Sequence, residues 1–157
     1  MESRKNVLIV TDGTEATQNM ASGIAKALKG AKVVSIVAPD FSGQDILPAE
    51  VYFFGCEKPK PASFAYLSKV LQHINLVGRP CGVFSPQSEE AIAYLSDMAH
   101  DSDVALYAKP LFEKDIDYVK SWTDQVIHKG QGFNLDDYIG KVPDFPMQGI
   151  LFYDITT

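Results

Sequence analysis

Five short runs of this chain are apolar on consecutive positions instead of alternate ones: VLIV from Val7, VVSIV from Val33, VYFF from Val51, CGVF from Cys81 and VALY from Val104. A strand with one wet face alternates apolar and polar side chains, whereas a strand covered on both faces does not. Runs this short, and this rich in Val, Ile, Phe and Tyr, read as strands of a parallel sheet buried between two layers. Parallel strands need crossovers, so the gaps between the runs should hold helices.

Most of them carry a helical period. Met20, Ile24 and Leu28 repeat at four-residue spacing beside Ala21 and Ala25, and Gly30 is a plausible stop. Phe64, Leu67, Leu71 and Ile74 mark a face after the third run. After the fourth, Ser88 reads as an N-cap, with Glu89 and Glu90 in the first turn where the helix dipole favours negative charge. Ile92, Leu95 and Met98 follow as the apolar stripe. Beyond the fifth run come Ile116, Val119, Trp122 or Thr123, and Val126, with Gly130 at the end. The gap between runs two and three, APDFSGQDILPAE, is short and broken by Pro39, Gly43 and Pro48. It reads as a loop with at most a helical turn. Strand–helix alternation implies a doubly wound α/β sandwich with right-handed crossovers.

The expected organisation is a single domain over 1–157. Within it, segment 130–157 breaks the alternation and is expected to be an extension packed on the domain or on a partner subunit. Its ILFYDI run, residues 150–155, reads as a sixth strand added at an edge, and an exposed apolar edge would need cover. A possible homodimer through this extension is the corresponding partner expectation.

Charge and composition narrow the function. The formal net charge of −6 argues against nucleic acid and anionic membrane as partners, since nothing here neutralises phosphates in number. No stretch approaches the roughly 20 apolar residues of a membrane span. The four-residue apolar block near the N-terminus is too short for a signal peptide. Cys56 and Cys81 make neither a disulfide framework nor a metal-ligand spacing. The chain therefore reads as cytoplasmic.

In open α/β sheets, ligands bind beyond the carboxyl ends of the strands, near the point where strand order reverses. That selects the loops at 11–17, 56–62 and 85–88. The first offers hydroxyls from Thr11, Thr14 and Thr17, a flexible Gly13 and the free N–H groups of a following helix, all suited to an anion. It also carries Asp12 and Glu15, which repel a phosphate unless they point away. The plain alternative is that Thr14 or Thr17 caps the helix and Gly13 serves a turn. Cys56 ends a central strand, where a thiol faces any ligand or simply packs as a small hydrophobe. Cys81 reads as core. Lys58 and Lys60 make the second loop locally basic. His73, His100 and His128 share no spacing and read as surface histidines, and Trp122 reads as packing.

On these residues the sequence resembles the flavodoxin family, whose first loop, S/T-x-T-G-N-T, directly follows a strand and binds the phosphate of FMN. In TDGTEATQNMA the family threonines match at Thr14 and Thr17, and a family alanine at Ala21. Asp12 stands where a Ser or Thr hydroxyl belongs, Glu15 replaces the Gly and Ala16 the Asn. AEVYFFGCEKPKPASFAYLSKVLQHINLVGRPCGVFSP is similar to the family's strand, ligand loop, helix, L-x-G-K/R turn and following strand. DVALYAKPLFEKDIDYVKSWTDQVI is similar to its final strand and long helix. The resemblance spans roughly residues 6–129. It implies a three-layer α/β sandwich on a five-stranded parallel sheet of order 2-1-3-4-5. It further implies an FMN site made by Thr11, Asp12, Gly13, Thr14, Glu15, Ala16, Thr17, Cys56, Glu57, Lys58, Ser85, Pro86 and Gln87.

That family stacks the flavin ring between aromatic side chains of the second and third ligand loops. CEKPKPA and SPQS contain none, and the nearest rings are Phe64 and Tyr94. Three readings follow. The first is an FMN-dependent electron carrier that transforms no substrate, its acidic surface docking a basic redox partner. The second is a flavodoxin-fold protein that has lost FMN and serves as a protein-interaction or other ligand-binding module. The third is a response-regulator receiver domain, suggested by Lys109-Pro110, Ser85 and Asp12. It is opposed by the third strand ending Gly55-Cys56, without a phospho-accepting Asp.

Overall fold

The computed structural model describes residues 6–106 and 109–127. Strand β1 (Asn6–Thr11) leads into helix α1 (Glu15–Ala27), then β2 (Lys32–Val37), a short helix α2 (Gly43–Ile46), β3 (Val51–Gly55) and α3 (Ala65–Leu71). After these come β4 (Cys81–Ser85), α4 (Glu89–His100), β5 (Leu111–Phe112) and α5 (Val119–Ile127). The strands form one parallel sheet in the order β2-β1-β3-β4-β5. This is the expected doubly wound arrangement.

Consecutive apolar positions have the expected cause. On β1, Leu8 and Val10 face the layer of α3 and α4, while Val7 and Ile9 face that of α1 and α5. On β3, Tyr52 and Phe54 take the first side, and Val51 and Phe53 the second. Both faces of the central strands are buried, so the positions from 7 to 10 on β1 and from 51 to 54 on β3 are all apolar. Met20, Ala21 and Ile24 of α1, and Trp122 and Val126 of α5, complete the second layer. Trp122 sits against Phe53 at 5.4 Å between ring centres, and its indole N–H donates to the Lys109 carbonyl at 2.6 Å.

Helix ends follow the sequence signals closely at one place. The Ser88 hydroxyl accepts from the Ala91 N–H at 3.0 Å, as its position before two glutamates suggests. Between β2 and β3 the chain makes a 3-10 turn at Ala38–Asp40 as well as the one-turn α2. A capping box accounts for α2: Ser42 accepts from Gln44 N–H at 3.1 Å, and Asp45 accepts from Ser42 N–H at 2.9 Å.

The fifth strand is not where the VALY run puts it. Ala105 makes an isolated parallel bridge to Pro80, while the ladder proper pairs Leu111 with Phe84 and Phe112 with Ser85. Between these contacts the edge chain uses two more residues than β4 does. Pro110, with no N–H to give, stands immediately before the ladder. Tyr107, the stop at Gly130 and the expected sixth strand lie outside the described residues.

The opposite edge is unlike the centre. Val34 of β2 is 46% exposed, and the one-turn α2 is too short to cover it. A groove of about 230 Å³ lies over the start of β1 and β2, lined by Asn6, Leu8, Lys32, Val34, Gln44 and Pro48 among others. The loop that lines it is tied down by Tyr52, whose hydroxyl lies 2.7 Å from the Ile46 carbonyl and 2.9 Å from that of Ala49. Arg79 donates to that hydroxyl at 2.8 Å and to the Leu47 and Ala49 carbonyls.

Candidate functional site

Three loops meet at the carboxyl ends of β1, β3 and β4, beside the point where strand order reverses. The first is built around Asp12. Gly13 takes φ +86, a turn conformation that side chains resist, and this folds the Asp12 carboxylate back over the next residues. Asp12 Oδ1 accepts from the Thr14 N–H at 3.1 Å and from the Thr14 hydroxyl at 3.0 Å. Its other oxygen accepts from the Glu57 N–H at 2.8 Å, in the loop after β3. Asp12 therefore turns into the site and joins two ligand loops with one carboxylate. Glu15 is exposed.

Thr14 is the N-cap residue of α1, but its hydroxyl caps no backbone N–H. It lies 2.7 Å from the Thr17 hydroxyl. Since a hydroxyl carries one proton, Thr17 supplies the proton of that contact when Thr14 donates to Asp12. The alternative that Thr14 caps this helix holds for its position and not for its hydroxyl: the aspartate two residues earlier takes the Thr14 N–H in an Asx turn. Thr11 is fully buried, and its hydroxyl has no partner among the described residues. Ala16 is half-buried on the first turn of α1.

Cys56 is fully buried behind the second loop. Burial, and then the Asp12 carboxylate nearby, pushes its thiol up to about 12. Cys81 is also buried, with its thiol pushed up by burial. Thiolate is the reactive form, so at pH 8 the folded chain should alkylate with iodoacetamide at Cys56 roughly a thousandfold more slowly than an exposed cysteine. Peptide mass mapping of native and urea-unfolded samples checks this. Rapid native labelling would mean that the thiol opens onto the mouth.

The remaining sequence candidates separate. Glu57 contributes its backbone N–H, while Lys58 is exposed, as is Lys60, held at φ +52. Ser85 is buried, and its hydroxyl accepts from Ser88 N–H at 3.3 Å, supporting the turn into α4. Pro86 gives its carbonyl to the Glu113 N–H at 2.9 Å, and Gln87 is exposed. Tyr94 packs against Phe64 at 6.4 Å between ring centres. Pro86 and Gln87 line a cleft of about 480 Å³ with Glu89, Phe112, Glu113 and Lys114. The last three were not singled out from sequence, because the VALY assignment ended the fifth strand too early. The Lys-Pro before Leu111 was the available signal. Among the described residues, no group of three His, Cys, Asp or Glu side chains could hold a metal ion. No described helix is long and apolar enough to cross a membrane.

The donor set is therefore poorly matched to the phosphate of FMN. Asp12, itself an anion, already accepts from Thr14 and Glu57, and no aromatic side chain stands in the residues 56–62 or 85–88 to stack a flavin ring.

No protein-family model matches this sequence, and no curated protein matches it. Solved structures do match in fold. A short-chain flavodoxin associated with a bacterial microcompartment superposes with TM-score 0.71 at 13% identity, over 82% of this chain and 99% of its own. Oxidised flavodoxin 2 from Bacillus cereus gives TM-score 0.67 at 17% identity, over 79% and 99%. A flavodoxin from the domain Archaea gives TM-score 0.67 at 16%, over 80% and 99%. The fold is flavodoxin-like.

Proposed function

We propose that this chain is a flavodoxin-fold protein that works without FMN, as a binding module for another macromolecule or ligand. One observation carries the reading: the Asp12 carboxylate accepts from Thr14 and Glu57 at once, so an anion belonging to the chain spans the two loops. A second anion at the same amides would meet that charge at close range, and buried or half-buried like charges disfavour each other strongly. The absence of aromatic residues from both ring loops supports it. The acidic balance of the chain suits a basic partner surface.

A second reading, FMN-dependent electron transfer, is favoured by Thr11, whose buried hydroxyl beside the loop has no partner among the described residues. The two readings separate in an absorbance spectrum of the purified protein, followed by FMN titration with fluorescence quenching. The expected result is a colourless protein with no saturable quenching below about 100 μM FMN, which corresponds to less than about 5.5 kcal/mol of binding. A yellow protein, or saturation at micromolar FMN, replaces the first reading by the second.

A further inference from the structure

We infer that the β2 edge is the docking site of this chain's own residues 150–155, the ILFYDI run, which add there as a sixth strand.

The edge has the properties of an unfinished sheet. Among the described residues β2 is the outermost strand on its side, and no described strand pairs with its outer backbone groups. At six residues it is long for an edge, and Val34 is half exposed where a central strand would be covered. The usual protections are thin: Lys32 at its start is the strand's one charge, it has no proline, and α2 spans a single turn. At the start of the strand, a groove of about 230 Å³ places Lys32 and Val34 beside Leu8 of β1 and Pro48. The other edge is no rival. β5 is only two residues long, too short to pair six.

The occupant fits in length, pattern and reach. ILFYDI has six residues, as β2 does. Successive side chains of a strand point to opposite faces. One alternate set is Ile150, Phe152 and Asp154, and the other is Leu151, Tyr153 and Ile155, so either face brings at least two large apolar groups alongside Val34 and its neighbours. The run carries one charge, an aspartate, which complements Lys32. Residues 128–149 join it to α5, a tether of 22 residues. Fully extended, such a tether spans about 70 Å. Crossing five strands at about 4.8 Å spacing needs roughly 20 Å. The run therefore reaches the β2 edge of its own molecule.

The test is hydrogen–deuterium exchange on the full chain, comparing the parent with a Leu151→Pro, Tyr153→Pro variant, which lacks two N–H donors and cannot hold a regular ladder. In the parent, amides of the β2 peptide should be protected, independently of protein concentration. In the variant they should exchange at least about tenfold faster, while peptides from β3 and β4 stay unchanged. Equal β2 exchange in both proteins overturns the inference. So does protection that disappears on dilution together with a dimer seen by sedimentation, because the occupant is then a second copy. A Val34→Arg variant, with its fold verified by circular dichroism, should reproduce the faster β2 exchange from the other side of the contact. A parent-like exchange rate there counts against the groove.

Discussion

An Asp12→Ser, Glu15→Gly double variant is expected to bind FMN at least about a hundredfold more tightly than the parent, a difference of about 2.7 kcal/mol. Two terms give that size. Removing Asp12 releases the Thr14 and Glu57 amides, each able to form a charge-assisted hydrogen bond to a phosphate oxygen worth about 1.5–3 kcal/mol. Removing both carboxylates also takes away two negative charges at the N-terminus of α1, leaving its dipole to act on the ligand alone. The same change should lower stability by about 1–3 kcal/mol, since three hydrogen bonds to one carboxylate are lost. Fluorescence titration and thermal melting on the same sample measure both. A variant that is folded yet still blind to FMN would place the defect in the ring loops, and the account based on Asp12 would fail.

The second large effect lies in the core. Gly55→Ala should destabilise the protein by about 3 kcal/mol or more, lowering the melting temperature by roughly 10 °C. Gly55 pairs with Phe84 across the β3–β4 ladder, and the Phe84 ring lies over it. A Cβ at position 55 would stand 2.6 Å from Phe84 Cδ2 and closer still to Cε2 and Cζ. Phe84 is fully buried, so the ring has no free space to swing into. Its relief is equally specific. Phe84→Leu should cost stability alone, but combined with Gly55→Ala it should cost clearly less than the sum of the two single changes. Additive losses, or a melting temperature for Gly55→Ala within about 2 °C of the parent, would show that the ring moves aside.

The central sheet was legible because burial on two faces leaves a direct mark on sequence: four consecutive apolar positions on β1 mean two covering layers. Ser88 was legible for a similarly local reason, a cap followed by acids. β5 was misplaced because VALY has the composition of a buried strand, while pairing is decided by partners on β4 that composition does not reveal. The capping box at Ser42 and Asp45 was present as a spacing but lay in a segment whose prolines and glycine suggested a loop. In the candidate site, the residue types were legible and their directions were not. Whether Asp12 repels a ligand from outside or occupies the loop from inside depends on a turn at Gly13 and on an amide 45 residues away at Glu57. Neither is written in the local pattern.

The Asp12 bridge also changes what the fold depends on. A site completed by a diffusible ligand is stabilised only in proportion to how far that ligand exceeds its dissociation constant. Here the stabilising anion is a side chain, so its local concentration is set by the backbone and is unaffected by dilution or dialysis. The loops after β1 and β3 are therefore tied to each other by the chain's own carboxylate as soon as the chain folds.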